Sequence, residues 1–561
     1  MTTDGSNTFP SIPGATKEGP EALPQDLTLC HALIRQLLDA RAEDAQLIAG
    51  LQHQLRNLLR RSYGRSSEKL DPNQLALFEK LLAELTHAAA PAPAPESPAL
   101  PATKLAPTNG QRGHGRRQLP PELERRPVVI DLPEEEKPCP CCQALREPMG
   151  DEVTEKLDFE PARVFVRQEI RRKYVCHACE AAAAEGGPQI VIADKPLSPI
   201  EKGLAAPGLL AHIIVSKYAD HQPLHRLERI LERHDILLSR STMCDWMAAC
   251  ADTLKPLYQL MVQEVLQSRV IHTDDTPVDV LDPEYPGTTK TGRFWDYVGD
   301  ADHPQTVFDY TPSRSRDGPM KFLDGWGKDE PVFLQADAFG GYDGIYRGEA
   351  GGQVTEVACH AHARRKHYDA RTSDAATSTQ ALAYIRLLYD VEDQAQALAD
   401  REEDPAARRR KLVAERLRLR QELSVPRLAH YKEWLESCQA AHGGSVLPKS
   451  PMGQAIAYTL NQWEALCVYT RDGELNIDNN VSERNLRRLA TGRNNWTFLG
   501  SDNGGLTAAV LFSLVATCER HQVNPFVYLR DVLTRIAAHP MNRLAELLPD
   551  RWQPAPTANP N

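Results

Sequence analysis

Three acidic residues stand where carboxylates can act on a phosphodiester. Asp274 follows the apolar run 269–272 in IHTDDTPV, Asp337 follows the run 332–335 in VFLQADAFGGY, and Glu483 lies in NIDNNVSERNLRRL, where a helix is expected to begin near Asn480. Carboxylates at strand ends can converge at one rim of a sheet although far apart in sequence. Phosphodiester transfer places an attacking and a leaving oxygen in line, and two divalent cations about 3.5–4 Å apart stabilise both. Magnesium, or manganese in its place, is a hard ion that takes oxygen ligands, which Asp and Glu supply. The competing reading is plain: among 76 acidic residues, an Asp after a strand is often a turn former, and a Glu in a first helical turn is favoured by the dipole. Asp275 and Asp279 compete with Asp274, and Asp343 competes with Asp337.

Basic residues flank these acids. Arg484, Arg487, Arg488 and Arg493 follow Glu483, and the first three are at helical spacing, so two can share a face. The segment CHAHARRKH adds His360, His362, Arg364, Arg365 and Lys366. The net charge is −11, so any DNA contact must come from such local patches rather than from the whole molecule. The alternative is surface solubility. In NNWTFLGS, Trp496 and Phe498 read first as core aromatics and second as a stacking platform for an unpaired base.

Two CxxC knuckles form a second centre. Cys139 with Cys142 and Cys176 with Cys179 can place four thiolates around one tetrahedral Zn²⁺. The gap between the knuckles is longer than the usual ribbon spacing, and it holds strand-like residues over 162–170. Cys141 and His177 are possible substitute ligands. Redox chemistry and buried thiols are the rival readings. The zinc would be structural, presenting a surface to DNA or to a partner. Cys244, Cys250, Cys438, Cys467 and Cys518 read as core residues.

The elements that must position these groups define a multidomain α+β chain. Its 561 residues suffice for three or four domains. Residues 1–24 read as disordered. Over 25–87 a helical pattern follows: with Leu27 as position a, the a positions are Leu27, Ile34, Arg41, Ile48 and Leu55, and the d positions are Cys30, Leu37, Asp44, Leu51 and Leu58. Most are apolar, as in a short coiled coil through which subunits self-associate; a helix packed on its own chain is the alternative. A basic tract from Arg60 to Lys69 comes next, and residues 88–120 form a Pro/Ala-rich linker. The zinc unit occupies 125–182. A helical block, 195–260, contains helices expected at 224–234 and 241–250 joined by a tight turn, with Ser239 as N-cap and Arg240 opening the second; the pair is a candidate helix-turn-helix or an ordinary helical hairpin. Short strands at 269–272, 294–298, 306–310, 332–335 and 355–359 build the catalytic domain, 265–505, interrupted by a helical insertion at about 376–440. In that insertion, Arg408-Arg409-Arg410-Lys411 reads as a solvated helix face. A helical C-terminal domain, 506–547, contains the buried-helix signal 507–517, and 548–561 is a tail. No apolar run reaches the roughly 18 residues of a membrane span, and the N-terminus lacks the basic start and apolar core of a secretory signal. A cytoplasmic, nucleoid-associated protein with reduced thiols is expected.

The segments together resemble the transposases of the insertion sequence 66 family. The resemblance is carried by LRRSYGRSSEKL, CPCC with YVCHACE, SKYADHQPLHRLERI, LSRSTMCDW, HTDDTPV, LQADAFGGY, CHAHARRKH, DNNVSERNLRRLATGRNNWTFLGS and VNPFVYLRDVL, over about residues 25–545. It implies an RNase H-like catalytic fold with a helical insertion, a DDE triad of Asp274, Asp337 and Glu483, two magnesium ions, a leucine-zipper-like N-terminal helix, and movement of a mobile DNA element. Element ends and target DNA are then the partners, with companion element-encoded proteins possible. Arg364, Arg365, Arg484, Arg487 and Arg240 are the residues expected to meet DNA. Two departures stand out: Asp274-Asp275-Thr276 replaces the family's usual Asp-Glu-Thr, and Asp235 occupies the turn position where Gly is expected. An RNase H-like nuclease without strand joining, or a zinc-containing DNA-binding regulator or accessory subunit, are the rival functions.

Overall fold

The structure is a computed structural model that describes residues 165–166, 173–175, 190–192, 198–200, 203–284, 287–439 and 442–555. The heptad helix, the basic tract, the linker and the four zinc-candidate cysteines lie outside the described residues.

A small antiparallel pair, β1 (Lys173–Val175) and β2 (Ile190–Ile192), precedes the main body. Three helices follow: α1 (Pro207–Tyr218), α2 (Leu224–Glu232) and α3 (Arg240–Val265). Ser239 caps α3, its hydroxyl accepting from the Thr242 N–H at 3.2 Å. The helix runs well past the expected 241–250. Between α2 and α3, Asp235 adopts φ +59°. Asp tolerates this left-handed conformation better than most residues, so the turn closes without the expected Gly.

The central sheet has the strand order β5-β4-β3-β6-β7, with β8 added against β3. Its strands are β3 (Val270–Leu281), β4 (Thr289–Val298), β5 (Thr306–Thr311), β6 (Val332–Ala336), β7 (Val354–Ala358) and β8 (Phe498–Leu499). β3, β4 and β5 form an antiparallel meander, whereas β6 and β7 run parallel to β3. A short helix, α4 (Asp317–Phe322), follows β5, and α5 (Asp343–Tyr346) follows β6.

The expected strand at 269–272 is only the start of β3. An Asp after a strand is often a turn former, yet pairing with β4 continues from His272 to Leu281. Along its other edge β3 pairs first with β6 at residues 270–272 and later with β8 at 279–280. The stretch between is a split in the sheet.

Six helices follow β7: α6 (His360–Ala370), α7 (Ala375–Ala399), α8 (Pro405–Leu419), α9 (Val425–Cys438), α10 (Pro451–Asn461) and α11 (Trp463–Cys467). Asp374, Asp404 and Ser450 cap α7, α8 and α10 with side-chain oxygens, as the sequence signals for helix starts require. All of these helices except α8 pack with Val270 and Val357 of the sheet in one core cluster, while Leu412 and Leu419 of α8 pack with Val391 and Ala395 of α7. The run 408–411 is not simply solvated: Arg409 pairs with Asp302 at 2.7 Å and Glu474 at 3.3 Å, and Lys411 pairs with Glu402.

The chain then forms α12 (Asn480–Trp496), β8, α13 (Asp502–Arg520) and α14 (Pro525–Arg535). Every residue from Thr507 to Cys518 in α13 is buried. The helix covers the outer edge of β5, where the Thr306 and Phe308 N–H groups donate to Thr517 Oγ1 at 3.0 Å and Ser513 Oγ at 2.8 Å. An exposed edge strand invites pairing with another chain, and these hydroxyls remove that opportunity. No helix among the described residues is long and apolar enough to cross a membrane.

Candidate functional site

Adjacent parallel strands β3 and β6 pair His272 with Gln335. Asp274 and Asp337 each lie two residues further on, at the start of the split, where Asp337 follows the end of β6 and its charge acts on Asp274. Across β3 on the other side, Asp274 pairs with Asp296 of β4, and cross-strand partners share a face. Asp274 thus has two acidic neighbours, Asp296 on β4 and Asp337 just after β6. Glu483, in the first turn of α12, is near enough for its charge to act on Asp274.

Asp274 is half-buried, and its carboxyl is pushed up to about 7, first by burial, then by the charges of Asp337, Asp275 and Glu483. Burial also raises Asp337, with His362 and Arg314 opposing it. Asp337 accepts the Phe339 main-chain N–H, yet its Oδ1 is buried with no hydrogen-bond partner. A buried acceptor left unpaired is costly, and a divalent cation would satisfy it. The donor set is all carboxylate oxygen, which fits a hard ion.

Glu483 is more open, its side chain 41% exposed, and His362 Nδ1 lies 3.7 Å from its Oε1. Asp275, the rival of Asp274, is committed elsewhere. Its side chain is 1% exposed and is held by Arg293 at 2.7 Å and by Arg314 at 2.6 Å. Asp279 and Asp343 are exposed.

Asn479 explains how α12 is placed. It precedes the helix but makes no capping bond. Its Nδ2 donates to Thr273 O at 2.8 Å, and its Oδ1 lies 3.1 Å from His272 Nδ1. At the other end, Arg493 donates to Thr276 Oγ1 at 2.7 Å and Pro277 O at 2.5 Å. Both residues satisfy main-chain acceptors in the split beside β3, so α12 does there what a strand would otherwise do. Arg493 is thus a structural clamp.

The basic candidates separate. Arg484, Arg487, Arg365 and Arg240 are exposed, and Arg365 pairs with Asp369 at 3.1 Å. Arg364 is half-buried beside the Tyr368 ring. Arg488 pairs with Glu519, and so leaves the proposed face to Arg484 and Arg487. His360 is buried with Nε2 3.0 Å from Leu466 O, and belongs to the core rather than to a phosphate-binding cluster. Trp496 packs against the main core, whereas Phe498, expected there too, is 44% exposed. Cys250 and Cys518 are buried as expected, Cys438 and Cys467 are half-buried, and Cys244 is exposed.

Asp296 and Ser482 were not singled out from the sequence. Asp296 Oδ1 accepts the Asp274 main-chain N–H at 3.0 Å and the Ser482 hydroxyl. One signal was available: in FWDYV an acid sits inside an otherwise apolar strand, and a buried acid needs a reason to be there.

Fold and site together define the class: a mixed α/β protein whose sheet aligns acidic residues at a split covered by a helix. The chain belongs to the IS66 transposase family. Residues 202–507 match the family model described as "Transposase IS66 family", and residues 513–549 match "IS66 C-terminal element". Residues 136–180 match "zinc-finger binding domain of transposase IS66", and residues 50–128 match "Transposase C of IS166 homeodomain". The family assignment indicates a transposase with DNA as its partner, and the zinc-finger match supports zinc at the cysteine unit. Among similar proteins, the uncharacterized protein y4hP of Sinorhizobium fredii is 32% identical over 539 residues, covering 91% of this chain and 90% of its own. The uncharacterized protein y4jD of the same organism is 29% identical over 547 residues, covering 95% of this chain and 98% of its own.

Proposed function

We propose that this chain cleaves and joins DNA strands at a DDE-type centre on an RNase H-like sheet, with Asp274, Asp337 and Glu483 holding two divalent cations, magnesium or manganese. The observation that carries the reading is the convergence of these three acids from β3, β6 and α12, with Asp274 raised toward neutrality by burial and by its acidic neighbours. Two bound cations supply charge neutralisation and in-line activation of the attacking and leaving oxygens.

The chain's own residues do the positioning. Asp274 feels the charges of both other acids, and Asp337 offers its unpartnered oxygen. Arg293 and Arg314 hold Asp275 and so fix the strand beside Asp274. Exposed Arg484 and Arg487 on α12 and Arg365 on α6, with Arg364 beside it, meet the phosphate backbone. The α2–α3 pair, opened by Arg240, and the zinc unit with Cys139, Cys142, Cys176 and Cys179 recognise element ends. The N-terminal heptads pair subunits.

The test is strand cleavage and strand transfer on DNA carrying the element's ends. Asp274→Asn and Asp337→Asn should each reduce magnesium-dependent cleavage to background while DNA binding persists. Undiminished cleavage by either variant refutes the assignment. Supplying pre-cut ends separates a joining enzyme from a nuclease.

A further inference from the structure

The mutually closest group of metal-ligating side chains among the described residues is not the acidic triad. Cys359 Sγ, His362 and Glu483 bring one ligand atom each within 4.8 Å of one another. From these positions we infer that Cys359, His362 and Glu483 form a second metal site, selective for thiolate-seeking divalent cations of the zinc class, which competes with the hard-ion centre for Glu483. The competitive part rests on the function proposed above; the binding part stands by itself.

Chemistry separates the two sites. Thiolate, imidazole and carboxylate together are a zinc donor set. Magnesium has little use for sulfur or imidazole and prefers oxygen. Soft and borderline ions therefore sort to Cys359 and His362, and hard ions to Asp274 and Asp337, with Glu483 common to both.

The local backbone is also that of a metal knuckle. Cys359 immediately precedes α6, and His362 lies in the helix's first turn, so Cys-x-x-His brings both side chains to one point. Cys359 Sγ accepts the main-chain N–H of His362 and that of Asn479 at 3.1 Å. Two N–H groups aimed at one sulfur stabilise its anionic form, as outer-shell donors do at thiolate sites. His362 Nδ1 is buried, has no hydrogen-bond partner, and faces Glu483. Tetrahedral zinc takes sulfur at about 2.3 Å and nitrogen or oxygen at about 2.0–2.2 Å. The ligands must draw in slightly, and exposed Glu483 has the freedom to do so. Three protein ligands leave a fourth position for water.

Binding is a simple exchange. The Cys359 S–H proton leaves to solvent as the sulfur–metal bond forms, and the metal displaces water. Once coordinated here, Glu483 is withdrawn from the hard-ion pair and strand cleavage stops.

Cobalt(II) is the probe, because its thiolate complexes absorb in the near ultraviolet, and the full-length chain is the sample. Cys359→Ser should bind one molar equivalent less thiolate-ligated Co²⁺ than the parent chain. The cysteine unit at 139–179 contributes equally to both. His362→Gln should show the same deficit and serves if the serine variant melts early. Equal stoichiometry in parent and variants overturns the site. In magnesium-supported cleavage, Zn²⁺ should inhibit the parent at a concentration at least about tenfold below that for Cys359→Ser, the minimum expected since even outer-shell partners are worth about 10–100-fold in affinity. Equal sensitivity overturns the competition. A parent chain with no cleavage at all counts against the proposed function, while the Co²⁺ stoichiometry still decides the site.

Discussion

Asp296 and Asp274 face each other directly across β3 and β4, and Asp296 Oδ1 accepts the Asp274 main-chain N–H at 3.0 Å. The same oxygen accepts the hydroxyl of Ser482, the residue before Glu483. Asp296 thereby ties the strand of one candidate ligand to the helix of another. It is fully buried, and burial pushes its carboxyl well above the usual carboxylate range, with Asp274 adding to the rise and the Ser482 bond opposing it.

This arrangement predicts different outcomes for two substitutions. Asp296→Asn keeps an acceptor oxygen and should retain fold and most cleavage. Asp296→Val leaves the Asp274 N–H and Ser482 O–H unsatisfied, at about 1–3 kcal/mol for each buried group. It should lower stability by about 2–6 kcal/mol and loosen α12, raising the magnesium concentration needed for half-maximal cleavage. Urea unfolding and a metal titration measure both. Equal behaviour of the two variants would remove Asp296 from this role.

Asp274 gives a pH prediction for the metal-free chain. Its folded value of about 7 exceeds the unfolded value of about 3.9. The folded state then binds more protons than the unfolded state between those values, so this group makes stability fall as pH rises through the window. Asp274→Asn removes the charge. In chelator, its melting temperature should exceed the parent's near pH 8 and converge with it well below the unfolded value of about 3.9, where the parent is protonated in both states. Added magnesium should stabilise the parent more than the variant, because a ligand that binds only the folded state stabilises it. A parent that melts above the variant near pH 8 in chelator contradicts this account.

The sequence revealed the acids more readily than the scaffold around them. Asp274 and Asp337 were visible because each follows an apolar run. The extent of β3 was not, since Asp-Asp-Thr-Pro carries turn chemistry. Pairing with β4 overrides that local preference, and Arg293 and Arg314 offset the charge of Asp275. Helix starts at Ser239, Asp374, Asp404 and Ser450 follow local capping rules and were accessible in principle. Asn479 shows the limit of such rules: its side chain serves β3 instead of its own helix. Arg493, Arg488 and His360 looked like members of basic clusters, yet each has a tertiary partner that spacing alone cannot reveal.

Arg420 predicts the stability of the helical insertion. It lies in a π-helical turn joining α8 to α9, and its side chain is fully buried. Its guanidinium donates to Glu392 Oε1 at 2.8 Å and Oε2 at 2.7 Å, and to the carbonyls of Tyr469, Asp472 and Leu475. π-turns insert an extra residue into a helix, and here the insertion aims one cation at acceptors from three segments. Removing one member of a buried pair costs about 3–5 kcal/mol when the other charge stays uncompensated, but Glu392 also keeps Arg416 Nε at 3.3 Å. Arg420→Met should therefore destabilise the insertion by about 3 kcal/mol, the lower end of that range. Arg420→Met with Glu392→Leu should recover only part of the loss, since replacing both partners by apolar groups is often neutral but here also deprives Arg416 of Glu392. A double-mutant cycle by urea unfolding reads the coupling. Additive losses would mean that the carbonyl contacts, rather than Glu392, hold Arg420 in place.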